Sequence, residues 1–385
     1  MTHIYFIANI FILFLFLYSF NRGKSTEKAC IILSCVTWAL LFGLRAYTVG
    51  NDTPNYAAYY ENRNTPYIGY GTVDHPGDSI EWGFVAITRL LHTFSHSASF
   101  FFLVVAITLF FGIYKIYQKE AKSNATWCFL LLTITGLTFI GLISMMRQTM
   151  SISALLLSIY FFYSFQSERE KNWKCWTKNM NLIFSISCAI ISILIHRTSI
   201  MLFGGLLLLL LWKNNRKISF IAIISSFVIS IFYGNIISNT MDIVLNFIGS
   251  ISDDKIALLG NRYEDTMHDT AGSSLIRRFS YLIPVLVTIK YTEDKDLNSF
   301  CFKCMLVAFI GLFCFSVSYM MNRLVTVYLV LGMCKFVPPL AMKKGSKLHF
   351  FYISVTLYYL WRIFVAYENW PVTDSILPYY FFWQQ

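Results

Sequence analysis

Charge is what this 385-residue chain has least of. Asp, Glu, Lys and Arg make up only 13% of it, about half the share usual for a soluble domain. The same chain is 56% hydrophobic and 18% aromatic, with a mean hydropathy of +0.56. That balance excludes an ordinary soluble globular domain and points to a polytopic membrane protein. Acids are scarcer than bases, 20 against 31, for a net charge of +11. An excess of that sign can serve nucleic acid, but the positions of the basic residues, taken up below, assign it to membrane topology.

The motifs of several enzyme classes are also missing. There is no H-E-x-x-H, no nucleophile elbow and no metal cluster. Gly23-Lys24-Ser25-Thr26 resembles the end of a phosphate-binding loop, but Tyr18 stands where the first glycine is required. Asp294-Lys295-Asp296 resembles a nucleotide-sugar transferase metal pair, yet it lies in a short connection with no nucleotide-binding domain around it. It reads as a solvated charge run. Neither a metal nor another cofactor is expected.

Of nine cysteines, eight lie in or at the ends of apolar runs, and Cys175 lies in a basic connection. Cys301-x-x-Cys304 has no second pair or nearby histidine to complete a zinc set. Packing thiols are expected. The first apolar run, Ile4 to Phe20, lacks a basic n-region and a small-residue cleavage site. It is expected to be an uncleaved first span.

What is there in quantity is long apolar runs. Spans need about 20 mostly apolar residues, and twelve are expected, near 4–20, 29–44, 98–116, 126–144, 149–165, 181–196, 199–212, 218–235, 277–290, 300–318, 323–338 and 348–366. The expected fold is all-α: a single integral membrane domain over 1–385, a bundle of about twelve spans. Two long outer loops, 45–97 and 236–276, are expected to contain short interfacial helices such as "VAITRLLHTF".

The connections alternate in character. One set is short and lysine-rich, including "KIYQKEAK" (115–122), "SEREKNWKCWTK" (167–178) and "MKKGSK" (342–347). The positive-inside rule places these in the cytoplasm. The other set holds the two long loops, the corners at 145–148, 196–198 and 319–322, and the tail 367–385. Of 18 lysines only Lys255 falls there, while arginines collect. Both termini are therefore expected outside.

Arginine is permanently charged and presents a planar fork of donors suited to phosphate. Arg147, Arg197, Arg277, Arg278 and Arg323, all at outer span ends, are the candidates for a pyrophosphate clamp. The competing reading is snorkelling or ion pairing with outer acids such as Asp52, Glu81 or Asp269. His196, at the corner "LIHRTS", can accept a proton, and Asp52 in "VGNDTPNY" is the rival base. The outer loops are rich in Tyr, Asn, Asp, Thr and Gly, which suits sugar rings. An aromatic belt explains the tyrosines equally well.

The order of "LRAYTVGNDTPNY", "EWGF", "MMRQTMSISALLLS", "LIHRTSIMLF" and "NRLVTVYLVL" over residues 40–340 resembles the EpsG family. This is the group of Wzy-type polymerases of exopolysaccharide and O-antigen repeat units. The family pattern carries over to Arg45, Gly50, Asp52, Tyr56, Glu81, Arg147, Gln148, His196 and Arg323. Where the family often has Glu-Arg, this chain has Asn322-Arg323, so a carboxylate role there has no residue to carry it.

The resemblance implies a GT-C-like bundle in the bacterial inner membrane, with its active face extracytoplasmic. It implies a metal-independent glycosyltransferase whose donor and acceptor are undecaprenyl-pyrophosphate-linked oligosaccharides. Membrane lipid is an implied partner, a chain-length regulator is admitted, and nucleic acid is not. Arg45, Tyr56, Glu81, Gln148, Arg262 and Tyr263 become candidates for sugar contact. A polysaccharide flippase or transporter, and an O-antigen ligase, are the alternative readings.

Overall fold

A computed structural model describes residues 3–20, 22–50, 52–62, 81–135, 142, 145–170, 175–232, 275–314, 319–343, 345–369 and 379–384. The described residues are almost all helical and include no named strand, so the chain is all-α. The helices are α1 (Ile4–Ser19), α2 (Lys24–Gly43), α3 (Thr53–Glu61), α4 (Trp82–His92), α5 (Ala98–Glu120), α6 (Ala125–Thr135), α7 (Met146–Glu170) and α8 (Cys175–Ile195). There follow α9 (Ser199–Leu211), α10 (Arg216–Phe232), α11 (Leu275–Tyr291), α12 (Asp294–Leu297), α13 (Phe300–Cys314), α14 (Tyr319–Gly332) and α15 (Lys347–Asn369).

A helix stands at each of the twelve expected span positions. Four of them, within α2, α5, α7 and α15, are long and apolar enough to cross a membrane by themselves. Several others are apolar but shorter, among them α1, α9 and α13. Their outward residues are oily: Leu211 is 80%, Met201 72% and Phe14 64% exposed. Polar side chains inside the helices bond back to their own backbone, as Ser34 does to the Cys30 carbonyl (2.8 Å) and Thr108 to that of Val104 (2.9 Å). This satisfies the hydroxyls without water, as a membrane interior requires. Apolar helices of this kind mark a membrane protein.

The described chain divides into two compact units, 1–204 with 353–385, and 205–352. In the first, α7 packs along α8 and α5 lies between α2 and α7. A second tie is made by the chain's end. The Ala46 N–H donates to the Tyr380 carbonyl (2.7 Å), the Phe382 N–H to that of Leu44 (3.0 Å), and the Tyr379 hydroxyl to that of Leu41 (2.7 Å). The segment 379–384 thereby clamps the end of α2.

In the second unit, α13 packs on α14 and on α10, and α10 on α11. Gly332 permits the first of these contacts, since a Cβ there would lie 2.3 Å from the Met305 nitrogen. The Asp294–Asp296 run is solvated as expected: Asp294, 84% exposed, pairs with Arg216 at 2.9 Å. The eight cysteines with described side chains are free thiols, six of them buried.

Candidate active site

Four residues from distant parts of the first unit meet in one place. Glu81 stands just before α4 in extended backbone, with its side chain 10% exposed. Its Oε2 accepts from Arg147 Nη1 at 2.9 Å, and its Oε1 lies 3.0 Å from His196 Nδ1. Arg147 Nε reaches toward the Tyr56 hydroxyl at 3.4 Å. The Arg147 and His196 side chains are each 23% exposed, so solvent reaches both.

Local structure explains the meeting. α4 approaches α8 so closely that a Cβ on Gly83 would stand 2.6 Å from the Leu194 carbonyl carbon and oxygen. Only glycine admits that approach, and it brings Glu81 to within reach of the corner after α8. His196 caps that helix, donating its N–H to the Ser192 carbonyl (3.1 Å), and Ser199 N–H donates to the His196 carbonyl (3.0 Å) as α9 begins. Arg147 lies in the first turn of α7. Below the cluster, Tyr56, Tyr60, Phe84, Phe101, Phe102 and Met146 form a buried apolar bed.

A hydroxyl knot locks the three helix ends together. Ser151, one turn after Arg147, meets the Ser192 hydroxyl (2.9 Å) and carbonyl (3.0 Å) and also bonds the Ser199 hydroxyl. These serines escaped the sequence reading. The signal was present as helical spacing: Ser151 is four residues after Arg147, and Ser192 is four before His196.

The electrostatics follow from the contacts. Burial pushes the Glu81 carboxyl up, but the His196 hydrogen bond and the Arg147 charge outweigh it and hold the group at about 2. Glu81 is therefore a carboxylate at neutral pH and can only accept hydrogen bonds. The Nδ1 of His196 must then carry the proton, and in the neutral imidazole Nε2 is the basic nitrogen. The arrangement is a carboxylate-oriented base beside a guanidinium.

The other expected residues are placed differently. Arg45 is fully buried. Its guanidinium bonds the Phe42 carbonyl, lies 3.2 Å from the Met146 sulfur and covers the Phe102 ring at 4.5 Å, so it sits in the packing below the cluster. Gln148 is buried, and Arg197 is exposed. Asp52 precedes α3, and its carboxylate makes no hydrogen bond or ion pair with a described residue. Arg278, in the second unit, donates to the Ser230 carbonyl at 2.6 Å. The side chains of Arg277 and Arg323, and all of Arg262 and Tyr263, lie outside the described residues. Among the described residues no group of three or more His, Cys, Asp or Glu is placed to hold a metal ion.

The sequence model of the EpsG family matches residues 28–381, nearly the whole chain. No curated protein and no solved structure matches it.

Proposed function

The chain belongs to the EpsG family, and from that membership we propose that it joins undecaprenyl-pyrophosphate-linked repeat units into O-antigen or exopolysaccharide. In this reading twelve helices cross the bacterial inner membrane as a GT-C-like bundle, and the cluster faces the extracytoplasmic side. The observation that carries the chemistry is Glu81 held between Arg147 and His196, at 2.9 and 3.0 Å.

The donor is a glycan on lipid pyrophosphate, and the acceptor is a hydroxyl on a new lipid-linked unit. His196 Nε2 takes the hydroxyl proton as that oxygen bonds the anomeric carbon. The bond from the anomeric carbon to the pyrophosphate oxygen breaks, and its electron pair leaves with the pyrophosphate. Arg147, with five N–H donors on its guanidinium, stabilises the charge that develops there, the oxyanion-hole logic applied to a leaving group. Glu81 orients both groups and stabilises the imidazolium that forms, the part a buried carboxylate plays in a catalytic triad. Tyr56 buttresses Arg147, and Arg45 positions the bed beneath. Gln148, next to Arg147 in the chain, is proposed as a sugar contact, and Asp52 is the rival base.

The glycan profile of cells carrying Arg147→Lys tests the reading. Lysine keeps the charge and removes the planar fork, so single repeat units capped onto the final acceptor are expected in place of long chains. Full-length polymer would overturn the clamp. Loss of all surface glycan would indicate a flippase instead.

A further inference from the structure

The second unit carries a groove of about 420 Å³ with apolar walls and a basic mouth. Val287 and Tyr291, one turn apart on α11, form one wall. Leu340 comes from the short helical turn Pro339–Met342, and Phe351 from the first turns of α15. Lys343 and Lys347 stand at its edge.

The mouth is a built structure. The connection turns at Gly345, whose φ of +76° favours glycine. Ser346 N–H donates to the Lys343 carbonyl at 3.1 Å, and His349 Nδ1 lies 2.9 Å from the Ala341 carbonyl. These bonds hold the two lysines on either side of one turn. Both are exposed, and neither makes an ion pair with a described residue. The acids that follow Tyr291 are engaged elsewhere: Glu293 with Lys295 at 2.7 Å, Asp294 with Arg216 at 2.9 Å. The Lys290 ammonium lies 5.5 Å from the centre of the Tyr291 ring.

We propose that this groove binds an anionic phospholipid, with the headgroup phosphate on Lys343 and Lys347 and an acyl chain along Val287, Tyr291, Leu340 and Phe351. Two ammonium groups offer donors to phosphate oxygens. The apolar wall beside them matches the way basic pockets between membrane helices take lipid headgroups. The site shares no residue with the Glu81 cluster, and its occupancy does not depend on the polymerase reading.

The test uses the full chain, stripped of lipid in detergent and titrated with phosphatidylglycerol or phosphatidylcholine under native mass spectrometry. Phosphatidylglycerol is expected to bind the wild type in preference. The variant Lys343→Gln/Lys347→Gln should weaken it about 25-fold, about five-fold for each basic residue at a membrane surface. The matched variant Lys24→Gln/Lys28→Gln should bind as the wild type does. Leu340→Trp keeps both charges and fills the groove, and should also lose the lipid. Equal binding of the two lipids would overturn the proposal. So would an unchanged Lys343→Gln/Lys347→Gln titration, or displacement of the lipid by inorganic phosphate alone.

Discussion

Glu81→Gln keeps the shape of the side chain and removes its charge. In the folded protein the carboxyl is held at about 2, against 4.5 for an ordinary glutamate. At about 1.4 kcal/mol for each pH unit of difference, that corresponds to about 3 kcal/mol at neutral pH. The carboxylate is only 10% exposed, but both partners are 23% exposed. Solvent screening therefore brings the expected loss to about 2 kcal/mol. The folded value lies below the unfolded one, so this contribution is complete above about pH 4.5 and is lost as pH falls toward 2.

Thermal unfolding of the full chain in detergent, at pH values from 7 down to 3, reads the effect. At pH 7 the variant should melt a few degrees below the wild type. The gap should narrow steadily below about pH 4.5, where Glu81 of the unfolded wild type takes up a proton while the folded carboxylate, held at about 2, does not. A gap that stays constant with pH, or no gap at pH 7, would refute the linkage between Glu81 and its two partners.

His196→Gln should lower chain extension by about 10²–10⁴-fold, the range for a lost general base, whereas Asp52→Asn should leave long polymer on the same gel. The reverse pattern would make Asp52 the base. Gly83→Ala places a methyl group against the Leu194 backbone, so α4 must move and carry Glu81 with it. A loss of about 1–3 kcal/mol is expected by thermal unfolding, together with shortened glycan. Ser151→Ala removes the hydroxyl that the Ser192 and Ser199 side chains share, while the Ser192 hydroxyl keeps its bond to the residue-151 carbonyl (2.9 Å), for a loss of about 1 kcal/mol that chemical or thermal unfolding would measure.

The helices were legible because their cause is local. A segment in hydrocarbon must satisfy its backbone hydrogen bonds within itself, so an apolar run of sufficient length announces a helix wherever it lies. Among the described residues, each of the twelve expected positions accordingly overlaps a helix. Boundaries were less legible: the expected span at 149–165 belongs to a helix that starts at Met146 and runs to Glu170. Polar residues at a helix end continue its hydrogen bonding without adding to its hydropathy. Arg45 shows the limit most clearly. Its sequence setting, at the outer end of an apolar run, is that of a ligand-binding arginine, yet the clamp made by residues 379–384 and the Phe42 and Phe102 rings leaves it fully buried.

By itself, the sequence determined the helical class, the membrane character, the family, and the residue types available for chemistry. It left Asp52 and His196 as equal candidates for the base, because both lie at the same kind of boundary. Only the tertiary structure shows that one of them, His196, meets a carboxylate. Glu81 reaches His196 from 115 positions away, through a contact that Gly83 permits and the Ser151–Ser192–Ser199 knot holds in register. Such a pairing has no local cause, since it depends on how closely two helices approach and not on the composition of either.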